Sequence, residues 1–85
     1  MQKLVRCLWL IDTFCEYGSF SLKELNERFK AYSLNYEQEE ISERTFNRDR
    51  EFIASSFQID IEYDAHIRKY KLMNREVIEE NPLYR

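Results

Sequence analysis

Arg44, Asn47 and Arg48 stand close together in the chain, and Arg and Asn are the side chains that pair two hydrogen bonds at once with guanine and adenine edges in the major groove of DNA. Their spacing suits that chemistry. Phe46, Ile53 and Phe57 recur as an apolar seam, and Ser42 precedes them as a residue able to cap the first-turn amides, so a helix is expected over 43–57. At about 100° per residue, Arg44 lies about 160° and Arg48 about 200° from Phe46. One edge of the helix is therefore expected to be buried while the opposite edge presents Arg44, Arg48 and the neighbouring Asn47. Ser42, Thr45 and Arg50 are candidates for phosphate contact. Thr45 sits at the amino end, where anions are favoured, although its hydroxyl could instead bond locally. Asp49 is expected to orient Arg48 or Arg50, because phosphate would repel a carboxylate. The plain alternative for Arg44 and Arg48 is surface pairing with Glu43, Asp49 or Glu51, which contributes about 0.2 to 0.5 kcal/mol per pair.

Two earlier helices are needed to position such an element. Leu4, Cys7, Leu8, Ile11, Phe14 and Cys15 follow a helical period and predict a first helix over about residues 2 to 17, with Gly18 as its stop. Val5, Trp9 and Leu10 fall off that stripe. Trp9 is a candidate interface residue, packed either against residues 74–85 or against a second subunit or missing domain. Ser21 and Glu24 form a capping box that starts a second helix with the seam Leu22, Leu25, Phe29 and Tyr32, ending near Ser33. Ser33 to Glu40 lacks apolar periodicity and carries Glu37, Glu39 and Glu40, so it reads as an exposed loop, either solvated or a repulsive guard on docking.

After Phe57, the alternation of Ile59, Ile61 and Tyr63 has the period of a half-buried strand. Tyr70 and Leu72 repeat it beyond a turn at Asp64 to Arg68. The fold class expected is mainly α with a small β-hairpin: a winged helix-turn-helix of three helices plus a two-stranded wing. Residues 1–73 form the domain, and 74–85 a linker or partial helix. The recognition helix 43–57 would enter the major groove and the wing 59–73 would lie on the backbone, where His66, Arg68, Lys69 and Lys71 could meet phosphates. His66, in the turn, could equally be a solvated side chain.

The composition bounds these readings. An 85-residue chain with 44% hydrophobic and 15% aromatic residues is one small domain with a real core. The net charge of −3 weighs against nucleic-acid binding, but the basic residues cluster on the recognition helix and wing while acids gather at 37–40 and 76–80. The longest apolar run, Leu8 to Ile11, is far too short to cross a bilayer, and no signal-peptide pattern opens the chain, so a cytoplasmic protein is expected. Cys7 and Cys15 on one helix would lie about 12 Å apart along its axis, which predicts two reduced, buried thiols rather than a disulfide. No zinc-ligand spacing, glycine-rich phosphate loop or nucleophile–base arrangement is visible, so neither an enzyme nor a cofactor or metal site is expected.

With these elements in place, the sequence resembles the N-terminal winged-helix domain of bacterial WYL-domain transcriptional regulators over roughly residues 3 to 73. The pattern S-x-R-T-x-x-R-D stands here as Ser42, Arg44, Thr45, Arg48 and Asp49, followed by an apolar wing ending in Tyr70 and Leu72. The chain departs from that pattern in its longer loop before Ser42, in Arg50 where an apolar residue is frequent, and in Lys69 where glycine is common. The resemblance implies a transcription regulator that reads double-stranded DNA. It further implies a C-terminal domain beyond this chain that supplies homodimerisation and effector control. The other class of function compatible with these residues is a winged helix for protein interaction or dimerisation, without DNA, in which Trp9, the acidic surface and the tail form the working face.

Overall fold

Three helices and a hairpin follow one another as α1 (Lys3–Tyr17), α2 (Leu22–Lys30), α3 (Glu43–Phe57), β1 (Ile61–Asp64) and β2 (Lys69–Leu72). This is a computed structural model, and it describes residues 1–73; the linker or partial helix expected at 74–85 lies outside the described residues. The strands pair antiparallel, with Ile61 opposite Leu72 and Asp64 opposite Lys69.

Local chemistry explains where the helices start and stop. Ser21 Oγ accepts from Glu24 N (3.1 Å) and Glu24 Oε1 accepts from Ser21 N (2.9 Å), which closes the expected capping box on α2. Ser42 Oγ accepts from Thr45 N at 3.1 Å and starts α3. Gly18 ends α1 at φ 99°, a backbone conformation open to glycine, and donates its N–H to Phe14 O. Helix α2 stops at Lys30, before the expected end near Ser33, because the chain turns into a loop braced by two asparagines. Asn35, only 4% exposed, donates to Phe29 O and Glu39 O and accepts from Glu39 N. Asn26 both donates to Ile41 O (2.9 Å) and accepts from Ile41 N (2.6 Å), fixing the approach to α3. Substituting Asn35→Ala strands buried backbone groups, and urea unfolding should report a loss of about 1 to 3 kcal/mol.

The core joins α1 (Cys7, Leu10, Phe14), α2 (Leu25, Phe29), α3 (Phe46, Ile53) and the hairpin (Ile61, Leu72), with Phe20, Ile41 and Ile59 closing it. Phe14 packs edge-on against Phe20 and stacks on Phe46, and Phe46 meets Tyr70 edge-on at 4.8 Å. Phe20 also exchanges both backbone hydrogen bonds with Tyr70, at 3.0 and 2.7 Å, so the segment before α2 adds a one-residue edge to the hairpin.

Helix α1 is turned differently from its apolar stripe. Its buried residues are Cys7, Leu10, Thr13 and Phe14, roughly a quarter turn from the centre of the expected seam. Leu4 and Leu8 are left 51% and 50% exposed. Two contacts hold this rotation: Trp9 packs against Phe29 and Tyr32, with ring centroids 5.0 and 5.7 Å away, and Arg6 reaches inward to α3. Trp9 is thus half-buried on α2 and the turn after it, an arrangement neither sequence alternative named. Cys7 is fully buried, whereas Cys15, against expectation, is only half-buried. Among the described residues, no helix is long and apolar enough to cross a membrane.

Candidate nucleic-acid interface

Helix α3 is held from behind by Phe46, Asp49 and Ile53, all buried. Asp49, 1% exposed, receives Arg6 Nε on Oδ2 (2.5 Å) and Arg6 Nη2 on Oδ1 (2.9 Å). The sequence reading gave Asp49 to Arg48 or Arg50; its partner is instead on α1. The reason is geometric, since Asp49 lies about 60° from Phe46 on the wheel and so faces the core rather than the outer edge. The Asp49 carboxylate holds the Arg6 guanidinium above its ordinary range. Burial, and then the charge of Asp49, push the adjacent Cys7 thiol up to about 11.

Arg44 and Arg48 project from the opposite edge of α3. Both are exposed, and neither has a hydrogen bond or ion pair among the described residues. The surface pairs with Glu43 or Glu51 that the sequence allowed are therefore not formed. Thr45 is half-buried beside them, its N–H taken by Ser42, and Ser42 is exposed at the cap.

Arg50, expected to face phosphate, turns the other way. Its Nη1 donates to Ile61 O at 2.8 Å and its Nη2 to Asn47 Oδ1 at 2.7 Å, while its guanidinium lies over the rings of Tyr70 and Phe46. The aromatic rings around Arg50 and the Ile61 carbonyl draw the side chain inward, onto the hairpin. Asn47 is half-buried as the partner of Arg50, so its amide is not a solvent-facing group on both sides. Beside it, a cleft of about 290 Å³ between α3 and the hairpin is lined by Glu51, Asp60 and Glu62. These carboxylates make the cleft a poor place for phosphate.

No protein-family model, curated protein or solved structure matches the chain.

Two of the hairpin cations are already engaged. Lys69 Nζ bonds Glu24 Oε2 at 3.1 Å, and Lys71 Nζ bonds Asp64 Oδ2 at 2.8 Å. The Ser21 amide and then Lys69 hold Glu24 below the usual carboxylate range, and Lys71 and then the His66 amide do the same for Asp64. Arg68 and His66 stand exposed at the turn. Arg68 takes a left-handed backbone (φ 55°), and His66 N–H donates to Asp64 Oδ1 at 2.9 Å, which closes the turn. Because Phe46 packs on Tyr70, next to the Asp64–Lys69 pair, the first turns of α3 and the tip of the hairpin lie at the same end of the molecule. On these elements, Arg44, Arg48 and Arg68 are exposed and have no bonded carboxylate among the described residues. No group of three or more His, Cys, Asp or Glu that could hold a metal ion occurs among the described residues.

Sequence reasoning missed Arg6, Asn26, Asn35 and the Phe20 edge. One signal was available for Arg6: a charged residue between Val5 and Cys7, on a helix otherwise rich in apolar residues, needs a buried partner or a route to water.

Proposed function

We propose that residues 1–73 are a winged helix-turn-helix that reads double-stranded DNA, the binding module of a bacterial transcriptional regulator similar to the WYL-domain family. The observation that carries this reading is the division of α3. Its inner edge is locked by Phe46, Ile53 and the Arg6–Asp49 bridge, while its outer edge offers Arg44 and Arg48 with no bonded partner among the described residues. An immobile helix bearing uncommitted guanidiniums is the arrangement that base-edge recognition requires. Hairpin cations beside it would fix the duplex through its phosphates.

Lys69 and Lys71 enter this reading already paired to Glu24 and Asp64, so each would exchange a carboxylate for a phosphate. Arg68 has no such partner among the described residues. Arg68→Ala should therefore lower the slope of log affinity against log salt by about one unit, and Lys71→Ala by less. The direct test is a fluorescence-anisotropy titration of the chain against random-sequence duplex DNA at low and moderate salt. Binding that weakens steeply with salt is expected, and no binding at low salt would overturn the proposal.

One observation favours a second reading, a protein-interaction module. Leu4 and Leu8 are half-exposed on consecutive turns of α1, an apolar strip the described core does not use. Self-association that Leu8→Asp abolishes, in a protein with no salt-sensitive DNA binding, would select that reading.

A further inference from the structure

We infer that the groove between α1 and the loop before α3 is a docking site for a basic amphipathic helix of a partner protein, held by apolar anchors and an acidic rim. This goes beyond the DNA reading and does not depend on it, since α1 packs on the inner edge of α3, opposite Arg44 and Arg48.

Leu4 and Leu8 are half-exposed on consecutive turns of α1. Val5, three residues before Leu8 and so beside it, shares a cavity of about 380 Å³ with Leu34 and Tyr36 of the loop. Leu34 is 47% and Tyr36 84% exposed. Neither is on a free strand of chain, because the buried Asn35 between them ties the loop to Phe29 O and to the Glu39 backbone. The groove is thus preformed, with leucines on one wall and a tyrosine on the other. Such a surface takes the side chains that a helix presents at i, i+3 or i+4, and i+7.

The uncommitted charges around the groove are acidic. Asp12 lies one turn beyond Leu8, and Glu37 lines the cavity; both are exposed and unbonded among the described residues. The nearby cations are engaged: the Met1 amine with Glu39, Arg6 with Asp49, and Lys3 over the Phe52 ring. That balance selects the occupant. A second copy docking about a two-fold axis would bring two sets of Asp12 and Glu37 to one interface with no free cation to meet them. The chain's own residues 74–85 hold their apolar pair, Val77 and Ile78, between Glu76 and Glu79, which gives the same like-charge conflict. Lysine or arginine flanking the apolar stripe of a partner helix meets both acids.

The test is a fluorescence-anisotropy titration of a labelled peptide with leucine at heptad a and d positions and lysine at the flanking ones, against the full chain. The same peptide with glutamate in place of lysine is titrated beside it. The lysine peptide should bind more tightly by about tenfold or more. Leu8→Ser and Tyr36→Ser, both at exposed side chains, should each weaken it by about tenfold. Asp12→Lys with Glu37→Lys should invert the preference between the peptides, whereas Glu51→Lys with Glu62→Lys, an equal change of charge in the cleft beside the hairpin, should preserve it. Equal binding of the two peptides, or the same response from both double variants, overturns the inference. No binding of the lysine peptide also overturns it: self-association that Leu8→Ser abolishes would then name a second copy as the occupant, and peptide binding gained only with Val77→Asp and Ile78→Asp would name the tail. Duplex DNA is absent from this assay, so its failure leaves the DNA reading standing.

Discussion

Arg6→Ala should destabilise the folded chain by about 3 to 5 kcal/mol, the range seen when one partner of a buried ion pair is removed. The size follows from what remains. Asp49 would keep a carboxylate 1% exposed, deep between α1 and α3, with no other cation bonded to it among the described residues. The Cys7 thiol beside it offers only a weak donor. Small domains have total stabilities of about 5 to 15 kcal/mol, so this one change should bring the chain close to unfolding. Asp49→Ala should cost less, because the Arg6 side chain is already 16% exposed and can extend its guanidinium to water. Replacing both, as Arg6→Met with Asp49→Leu, should recover most of the loss, since a well-packed apolar pair often equals or exceeds a buried ion pair. Urea unfolding of the three variants measures all of this. A loss below about 1 kcal/mol for Arg6→Ala, the range of a surface pair, would show that Asp49 reaches water in solution.

How much of this was legible in the sequence depends on how local the determining interaction is. The caps at Ser21 and Ser42 were readable because donor and acceptor lie three residues apart. The period-two alternation similarly exposed the hairpin, since one residue type on each face is enough to define a strand. The face of α1 was not readable. Leu4, Leu8 and Ile11 make a regular seam, yet the helix buries Leu10 and Thr13 instead, because Arg6 and Trp9 take their partners from α3 and α2. Hydrophobic periodicity names an apolar stripe but cannot weigh it against a bridge to a residue 43 positions away. The inward turn of Arg50 was hidden for the same reason. Its spacing gives an arginine on a helix flank, and only the hairpin, 11 residues on, supplies the Ile61 carbonyl that draws it inward. The single-residue edge at Phe20 was too short for any alternation to reveal.

For the candidate site, that distinction separates arginines that one chain segment describes alike. Arg48→Glu should reduce affinity for duplex DNA by about tenfold to a hundredfold, from the loss of a base contact and the placing of a negative charge against the groove. Its effect on stability should stay within about 0.5 kcal/mol, because the side chain is exposed and bonded to nothing among the described residues. Arg50→Ala should show the opposite balance, with stability lost through Ile61 and Asn47 and affinity altered only indirectly. Measuring affinity and urea midpoint for both variants therefore tests the division of α3 into an inner and an outer edge without any knowledge of the operator. If Arg48→Glu binds duplex DNA as the wild type does, the outer edge is merely solvated and the assignment of α3 to the major groove falls. The half-exposed leucines of α1 would then be the surface to pursue, since they form an apolar strip that the described core does not use.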